Sequence, residues 1–184
     1  VIDYIIFALW FFLPAGLANA APVFANKIPK LNNWKTPLDL GKHLNNKRLL
    51  GDNKTWRGFS FGVFIAGVTF VIQQYFTTNI GIINNNPLLA EFAQLPAWFG
   101  LLLGAGALGG DALESLVKRQ IGIKSGESWF PFDQIDYIIG GILLSSLVTQ
   151  LSATQNFSIL IVWFGLHLIS TNIGYLLGLK EKPI

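Results

Sequence analysis

The segment from Gly109 to Gly141, "GGDALESLVKRQIGIKSGESWFPFDQIDYIIGG", decides how the chain is read. It holds five of the ten acids and three of the thirteen bases, and both of its ends run directly into apolar sequence. On a helix, Asp111, Glu114, Ser115 and Lys118 stand at i, i+3, i+4 and i+7 and share one face, with Leu113, Leu116 and Val117 off it. After a turn around "GIKSGES", Asp133 and Asp136, at i and i+3, open the next apolar run. If the two runs are neighbours, their carboxylates converge at the edge of the hydrocarbon. Bunched carboxylates repel unless a cation joins them. Mg²⁺ takes one or two carboxylates together with substrate phosphates. The competing reading is a set of helix-end salt bridges among Asp111, Glu114, Lys118 and Arg119. It explains Glu114 as well as a site does, but not the three aspartates together.

The rest of the chain sets this segment in a membrane. Of 184 residues, 52% are hydrophobic and 12% charged, with a mean hydropathy of +0.49. Soluble domains carry about 25% charged residues. The length suits one domain. The absence of cysteine excludes disulfides and thiolate metal sites, and two histidines are too few for a histidine-rich zinc site. The net charge of +3 is small, and no nucleic-acid partner is expected.

Five apolar runs qualify as transmembrane helices: residues 4–21, 58–78, 95–110, 135–151 and 157–179. The third and fourth are short and are expected to continue as helix or to lie buried. "LANAA" (17–21) resembles a signal-peptidase site, but the only charge ahead of it is Asp3 rather than a basic stretch. Eight bases fall in the loop 22–57, three between the third and fourth spans and two in the tail, with none in 1–3, 79–94 or 152–156. The positive-inside rule then places the N-terminus outside and the C-terminus inside. The expected fold is an all-α integral membrane protein of five transmembrane helices, with cytosolic loops 22–57 and 111–134 in a multi-pass cell-membrane protein. Small residues at four-residue spacing in "GAGALGG" let helices approach closely, and glycine-rich faces make a homodimer plausible.

The loop 22–57, broken by Pro22, Pro29 and Pro37, is too long to be idle and is expected to cover the cytosolic mouth of the site. Within it, "LGDNKTWRGFSFG" (50–62) places Lys54 and Arg57 three apart at the entry of the second span. A cation pair facing a carboxylate cluster suits a polyphosphate bridged by metal, whereas a pair alone suits a headgroup anchor. The spacing is not that of a P-loop. Asn19 and Asn172 are candidates for lining the cavity or for bonding between helices. His167 is expected to pair with another helix rather than bind metal. Trp34, Trp56 and Trp129 are expected at the interface, or one of them against a base.

These residues resemble a known family. "GDALESLVKRQIGIKSG…PFDQIDYIIGG", with its S-x-x-K-R core and D-x-x-D end, is similar to the CTP:phosphatidate cytidylyltransferase superfamily. Pro37, Asp39, Gly41, Arg48, Leu50–Asp52 and Lys54–Gly58 match the P-x-D-x-G…R-x-L-G-D-x-K-T-W-R-G pattern of its archaeal branch, the CDP-archaeol synthases. His167, Asn172, Gly178 and Lys180 resemble that branch's C-terminal pattern. Bacterial phosphatidate enzymes carry K-D after the basic pair and a P-G-H-G-G run. Here Ser125 follows Lys124, the run is absent, and Gln134 stands in place of an arginine, all of which favours the archaeal branch.

The resemblance implies transfer of CMP from CTP to an unsaturated di-ether lipid phosphate. Mg²⁺, in one or two ions, would be held by Asp111, Asp133 and Asp136. Lys54, Arg57, Lys118 and Arg119 would grip the triphosphate, with Glu114, Ser115 and Lys124 beside them. A phosphatidate cytidylyltransferase making CDP-diacylglycerol is the nearest alternative. An ion-coupled transporter is more distant, because it predicts acids spread through the membrane and an inverted repeat, and neither is present.

Overall fold

The computed structural model describes residues 1–44, 46–79 and 86–176. Gly178, Lys180, Lys182 and the end of the run 157–179 lie outside the described residues. Six helices dominate: α1 (Ile2–Ala25), α2 (Pro29–Asn32), α3 (Trp56–Asn79), α4 (Phe99–Ile121), α5 (Phe132–Ser145) and α6 (Ala153–Leu176). The two-residue strands β1 (His43–Leu44) and β2 (Lys47–Arg48) pair antiparallel within the loop between α2 and α3.

Among the described residues, four helices, α1, α3, α4 and α6, are long and apolar enough to cross a membrane. Helix α5 has only 14 residues, about 21 Å at 1.5 Å per residue and short of the roughly 30 Å core. The fourth run was expected to extend through Leu151, but regular helix stops at Ser145. There the hydroxyls of Ser145 and Ser146 turn back onto Ile142 O and Leu143 O at 2.8 and 2.7 Å. Helix α6 then starts from a reciprocal cap. The Gln155 amide donates to Ser152 Oγ and the Ser152 amide to Gln155 Oε1, at 3.2 and 2.8 Å. The third run does the opposite of the fourth. It becomes helical at Phe99 and continues past Gly110 to Ile121, carrying Asp111, Glu114, Ser115 and Lys118 on regular helix until Gly122 turns left-handed at φ +94°.

The bundle is held by a buried aromatic and aliphatic core away from the charged end. Phe70 and Phe92 have ring centroids 5.0 Å apart, Phe70 and Phe99 5.4 Å, and Phe12 and Trp163 5.8 Å. Two prolines interrupt the bonding of α1, and the bundle compensates for both. Pro14 has no N–H for the Trp10 carbonyl, which instead accepts from Gln73 Nε2 of α3 at 2.8 Å. Pro22 releases the Ala18 carbonyl, and Gly62 of α3 packs directly against it.

Helices α4 and α5 meet backbone to backbone. A Cβ on Gly106 would lie 2.6 Å from Gly140 O. One on Gly110 would overlap Asp136 O, and one on Gly140 would overlap Gly106 O. Gly62, Gly67, Gly104 and Gly141 are likewise filled by neighbours from within the chain. The glycine faces that suggested a homodimer are therefore used inside one copy.

Gly110→Ala or Gly140→Ala forces α4 and α5 apart and is expected to cost about 1–3 kcal/mol. Gly109→Ala, whose Cβ would meet nothing within 4 Å, is the matched control. Thermal unfolding in detergent should show lower midpoints for the first two and no loss for the third. Equal behaviour of all three would contradict this contact.

Candidate functional site

The ends of α1, α4 and α6 and the starts of α3 and α5 share one end of the bundle, as the contacts below require. A cavity of about 600 Å³ opens there, within the size range of small-molecule sites. Its walls are built from α4, α5, the turn between them, the loop before α3, and α6. Of the residues singled out from the sequence, Lys54, Asp111, Glu114, Ser115, Lys118, Arg119, Asp133 and Asp136 all line it.

The carboxylates are not bare. Lys54 Nζ donates to both Asp111 oxygens at 2.6 Å. Lys118, four residues beyond Glu114 on α4, lies 3.5 Å from Glu114 Oε1 and reaches across to Asp133 Oδ1 on α5 at 2.7 Å. The other Asp133 oxygen accepts from the Trp129 amide at 2.7 Å, which locks the start of α5. Asp136 has no ion pair among the described residues; its Oδ1 accepts from the Tyr137 amide at 2.6 Å. Among the described residues no three carboxylates or imidazoles converge into a ready-made metal cage. Oxygen donors from two helices around one cavity nevertheless suit Mg²⁺, which needs only one or two carboxylates when phosphates complete its shell.

Lys54 is positioned by an anchored loop. The Asp39 carboxylate, 6% exposed, accepts from the amides of Gly41, Leu50 and Gly51 and from the Arg48 guanidinium at 2.9–3.3 Å. Burial alone would raise its pKa. The Leu50 amide, then Arg48, then the Gly41 and Gly51 amides outweigh burial and hold the group at about 2. Leu38 N donates to Lys54 O at 2.8 Å and Trp56 N to Thr36 O at 3.0 Å, closing the loop onto the start of α3. The loop is strapped to α4 where Lys47 Nζ donates to Gln120 O at 2.6 Å, a cation on helix-terminal carbonyls. Asn53 Nδ2 meets Ser125 Oγ at 3.3 Å.

Four expected site residues lie elsewhere. Arg57 does not line the cavity. It is buried at 6% exposure, and its guanidinium bonds Asn26 Oδ1, Leu31 O, Asn32 O and Asn32 Oδ1. Lys54 precedes α3 while Arg57 sits in its first turn, so a spacing of three does not give them a common face. Asn172 is exposed and bonds back to Leu168 O at 2.8 Å. Lys124 lies past the end of α4, exposed, with its amide on Glu127 Oε2 at 2.9 Å. Asn19 lines a separate, smaller cavity of about 210 Å³. None of Trp34, Trp56 and Trp129 lines the large cavity; Trp129 packs on Phe132 at 4.3 Å.

Other lining residues were not anticipated as site residues: Asn53, Ser125–Ser128, Gln134, His167 and Thr171. His167, as expected, meets another helix, its ring 5.8 Å from that of Tyr137. His167 and Thr171 stand at i and i+4, the spacing that puts Thr171, rather than the expected Asn172, on the face of α6 that His167 shares.

The match to known proteins is extensive. The family model described as "CarS-like: CDP-archaeol synthase" matches residues 1–184. A CDP-archaeol synthase of Methanopyrus kandleri is 37% identical over 178 residues, 95% of this chain and 91% of its own length. One of Thermococcus kodakarensis is 33% identical over 180 residues, 97% and 96% of the two chains. A solved structure described as structural insight into an intramembrane enzyme for archaeal membrane lipids biosynthesis superposes with a TM-score of 0.71 at 28% identity, covering 89% of this chain and 91% of that one.

The Asp39 anchor makes a pH-dependent prediction. Its folded value of about 2 lies below the ordinary aspartate value of 3.8, so the stability it lends is complete above about pH 4 and lost as pH falls through 2. Pepsin should nick the loop 22–57 of the native chain at pH 2 but not at pH 4. Asp39→Asn should expose the bonds after Lys47 and Lys54 to trypsin at pH 7, about tenfold faster than in the native chain. Unchanged cleavage would show that the loop is held otherwise.

Proposed function

The chain belongs to the CDP-archaeol synthase family and is an enzyme, and we propose that it transfers CMP from CTP to a membrane lipid phosphate, unsaturated archaetidic acid, with release of pyrophosphate. The observation that carries this reading is the single cavity in which Lys54, Lys118 and Arg119 face carboxylates from both α4 and α5. Such a site offers cations for phosphates and oxygen donors for a metal in the same space.

In the reaction, an oxygen of the lipid phosphate forms a bond to the α-phosphorus of CTP. The bond from that phosphorus to the oxygen leading to the β-phosphorus breaks, and pyrophosphate leaves. A phosphate dianion carries no proton on the attacking oxygen, so no general base is required. The chain's task is positioning and charge compensation. Lys54 and Lys118 sit on aspartates before substrate arrives. When a triphosphate enters, its oxygens replace the carboxylates as partners of the two lysines and take up Arg119, whose buried Nε has no hydrogen-bond partner among the described residues. The released Asp111 and Asp133, with Asp136, which has no ion pair among the described residues, would hold Mg²⁺, which supplies Lewis-acid stabilisation of charge on the phosphate oxygens. Ser115 and Gln134, buried in the cavity wall, offer a hydroxyl and a carboxamide as further hydrogen-bond donors to the phosphates.

The two basic regions, 22–57 and 111–134, lie at the end of the bundle that holds the cavity. The positive-inside rule assigns that end to the cytosol, where CTP is available. With α5 counted as a fifth crossing, completed by the turn after Ser145, the N-terminus lies outside. The lipid phosphate then meets CTP at the inner boundary of a cell membrane without its tails leaving the bilayer.

The test is a cytidylyltransfer assay on purified protein with labelled CTP and either unsaturated archaetidic acid or ordinary phosphatidic acid. Labelled CDP-lipid should form from the ether lipid. It should vanish with EDTA and return with Mg²⁺. It should fall about 100-fold or more in Asp133→Asn and Lys54→Ala, but much less in Asn172→Ala, which lies outside the cavity. Preference for phosphatidic acid would assign the diacylglycerol branch. No product from either lipid would remove the synthase reading.

A further inference from the structure

We propose that the smaller cavity, about 210 Å³ between α1, α3 and α4, is the docking subsite for the phosphoglycerol head of the lipid substrate, separate from the space that takes CTP. This rests on the cytidylyl-transfer reading above. The two cavities share three lining residues, Asn53, Lys54 and Asp111. The Lys54–Asp111 ion pair is thus a common wall, with a space on either side. An in-line displacement at phosphorus requires that arrangement: the attacking oxygen enters from one side of the α-phosphorus and pyrophosphate departs on the other. Among the described residues, Lys54 is the one cation that lines both spaces.

The lining of the smaller cavity suits an amphiphile. Its polar lining includes Lys54, Asn19 and Thr55. The Asn19 side chain makes no hydrogen bond among the described residues, so its donor and acceptor are available to a glycerol oxygen or a phosphate. Thr55 Oγ1 already caps α3 by accepting from the Gly58 amide at 3.2 Å. Its apolar lining comes from Pro22, Val23, Leu38, Phe59 and Leu108. The rim is apolar and open: Val23 and its neighbour Phe24 are each 61% exposed, on the outer face of a membrane-length helix. The larger cavity is lined instead by five carboxylates and three bases, with Leu50 as its one aliphatic side chain among the described residues. The polar end of a lipid phosphate fits at the shared wall while its chains leave over Val23 and Phe24 into the bilayer.

The chain has no cysteine, so single cysteines report on each cavity separately. Asn19→Cys and Val23→Cys mark the smaller space and Ser128→Cys the larger. Each is alkylated with a maleimide in detergent micelles alone, or with unsaturated archaetidic acid, CTP, pyrophosphate or inorganic phosphate. The lipid phosphate should slow labelling at positions 19 and 23 by about fivefold or more, and CTP should do so only at position 128. Asn19→Leu should raise KM for the lipid about tenfold while KM for CTP stays within about twofold. Protection of position 19 by CTP, pyrophosphate or inorganic phosphate as strong as by the lipid would overturn the subsite. So would lipid protection confined to position 128, and in either case the CTP reading stands. Absence of protection by any ligand at all three positions would overturn both.

Discussion

The contact on which the site depends is the meeting of α4 and α5 through Gly106, Gly110 and Gly140. Without side chains between them, the Gly110 backbone sits against the Asp136 carbonyl. The acid-bearing turns that begin immediately after Gly110 and end at Asp136 are therefore forced into one space. Lys118 completes the join by crossing from α4 to Asp133. In hydrocarbon there is little hydrophobic force between helices, so close packing of small residues and buried polar bonds must hold them. Here the glycines set the distance and the ion pair sets the register.

The same logic governs α1. Its two prolines free carbonyls that a bilayer cannot satisfy, and α3 supplies Gln73 for one and a bare glycine Cα for the other. Helix α3 is thereby fixed against α1, and the loop that precedes it is fixed by Asp39. Lys54, at the end of that loop, is delivered onto Asp111 by a chain of backbone bonds rather than by its own helix. Structure far from the chemistry thus determines where the principal cation stands.

Much of this was legible in the residues. The i, i+3, i+4, i+7 spacing of Asp111, Glu114, Ser115 and Lys118 needs only a continuous helix, and the helix is continuous. Lys54 opposite the acids followed from charge. What spacing could not show was the point at which helix begins. Lys54 and Arg57 were read as one face, but the start of α3 at Trp56 separates them, and Arg57 turns to hold the α1–α2 junction. Asn172 attracted notice because it is polar, yet the face shared with His167 belongs to Thr171. The salt-bridge reading of the acids was also partly right: Lys54 and Lys118 do pair with them. A site that must release carboxylates to a metal and lysines to phosphates looks like a set of salt bridges until its ligands arrive.

A structure determined with CTP and Mg²⁺ bound tests the account most directly. The account predicts the triphosphate in the cavity between α4 and α5, with Lys54 and Lys118 moved from Asp111 and Asp133 onto phosphate oxygens and those aspartates turned to the metal. Nucleotide bound elsewhere, or bound with both lysine–aspartate pairs intact, would contradict it.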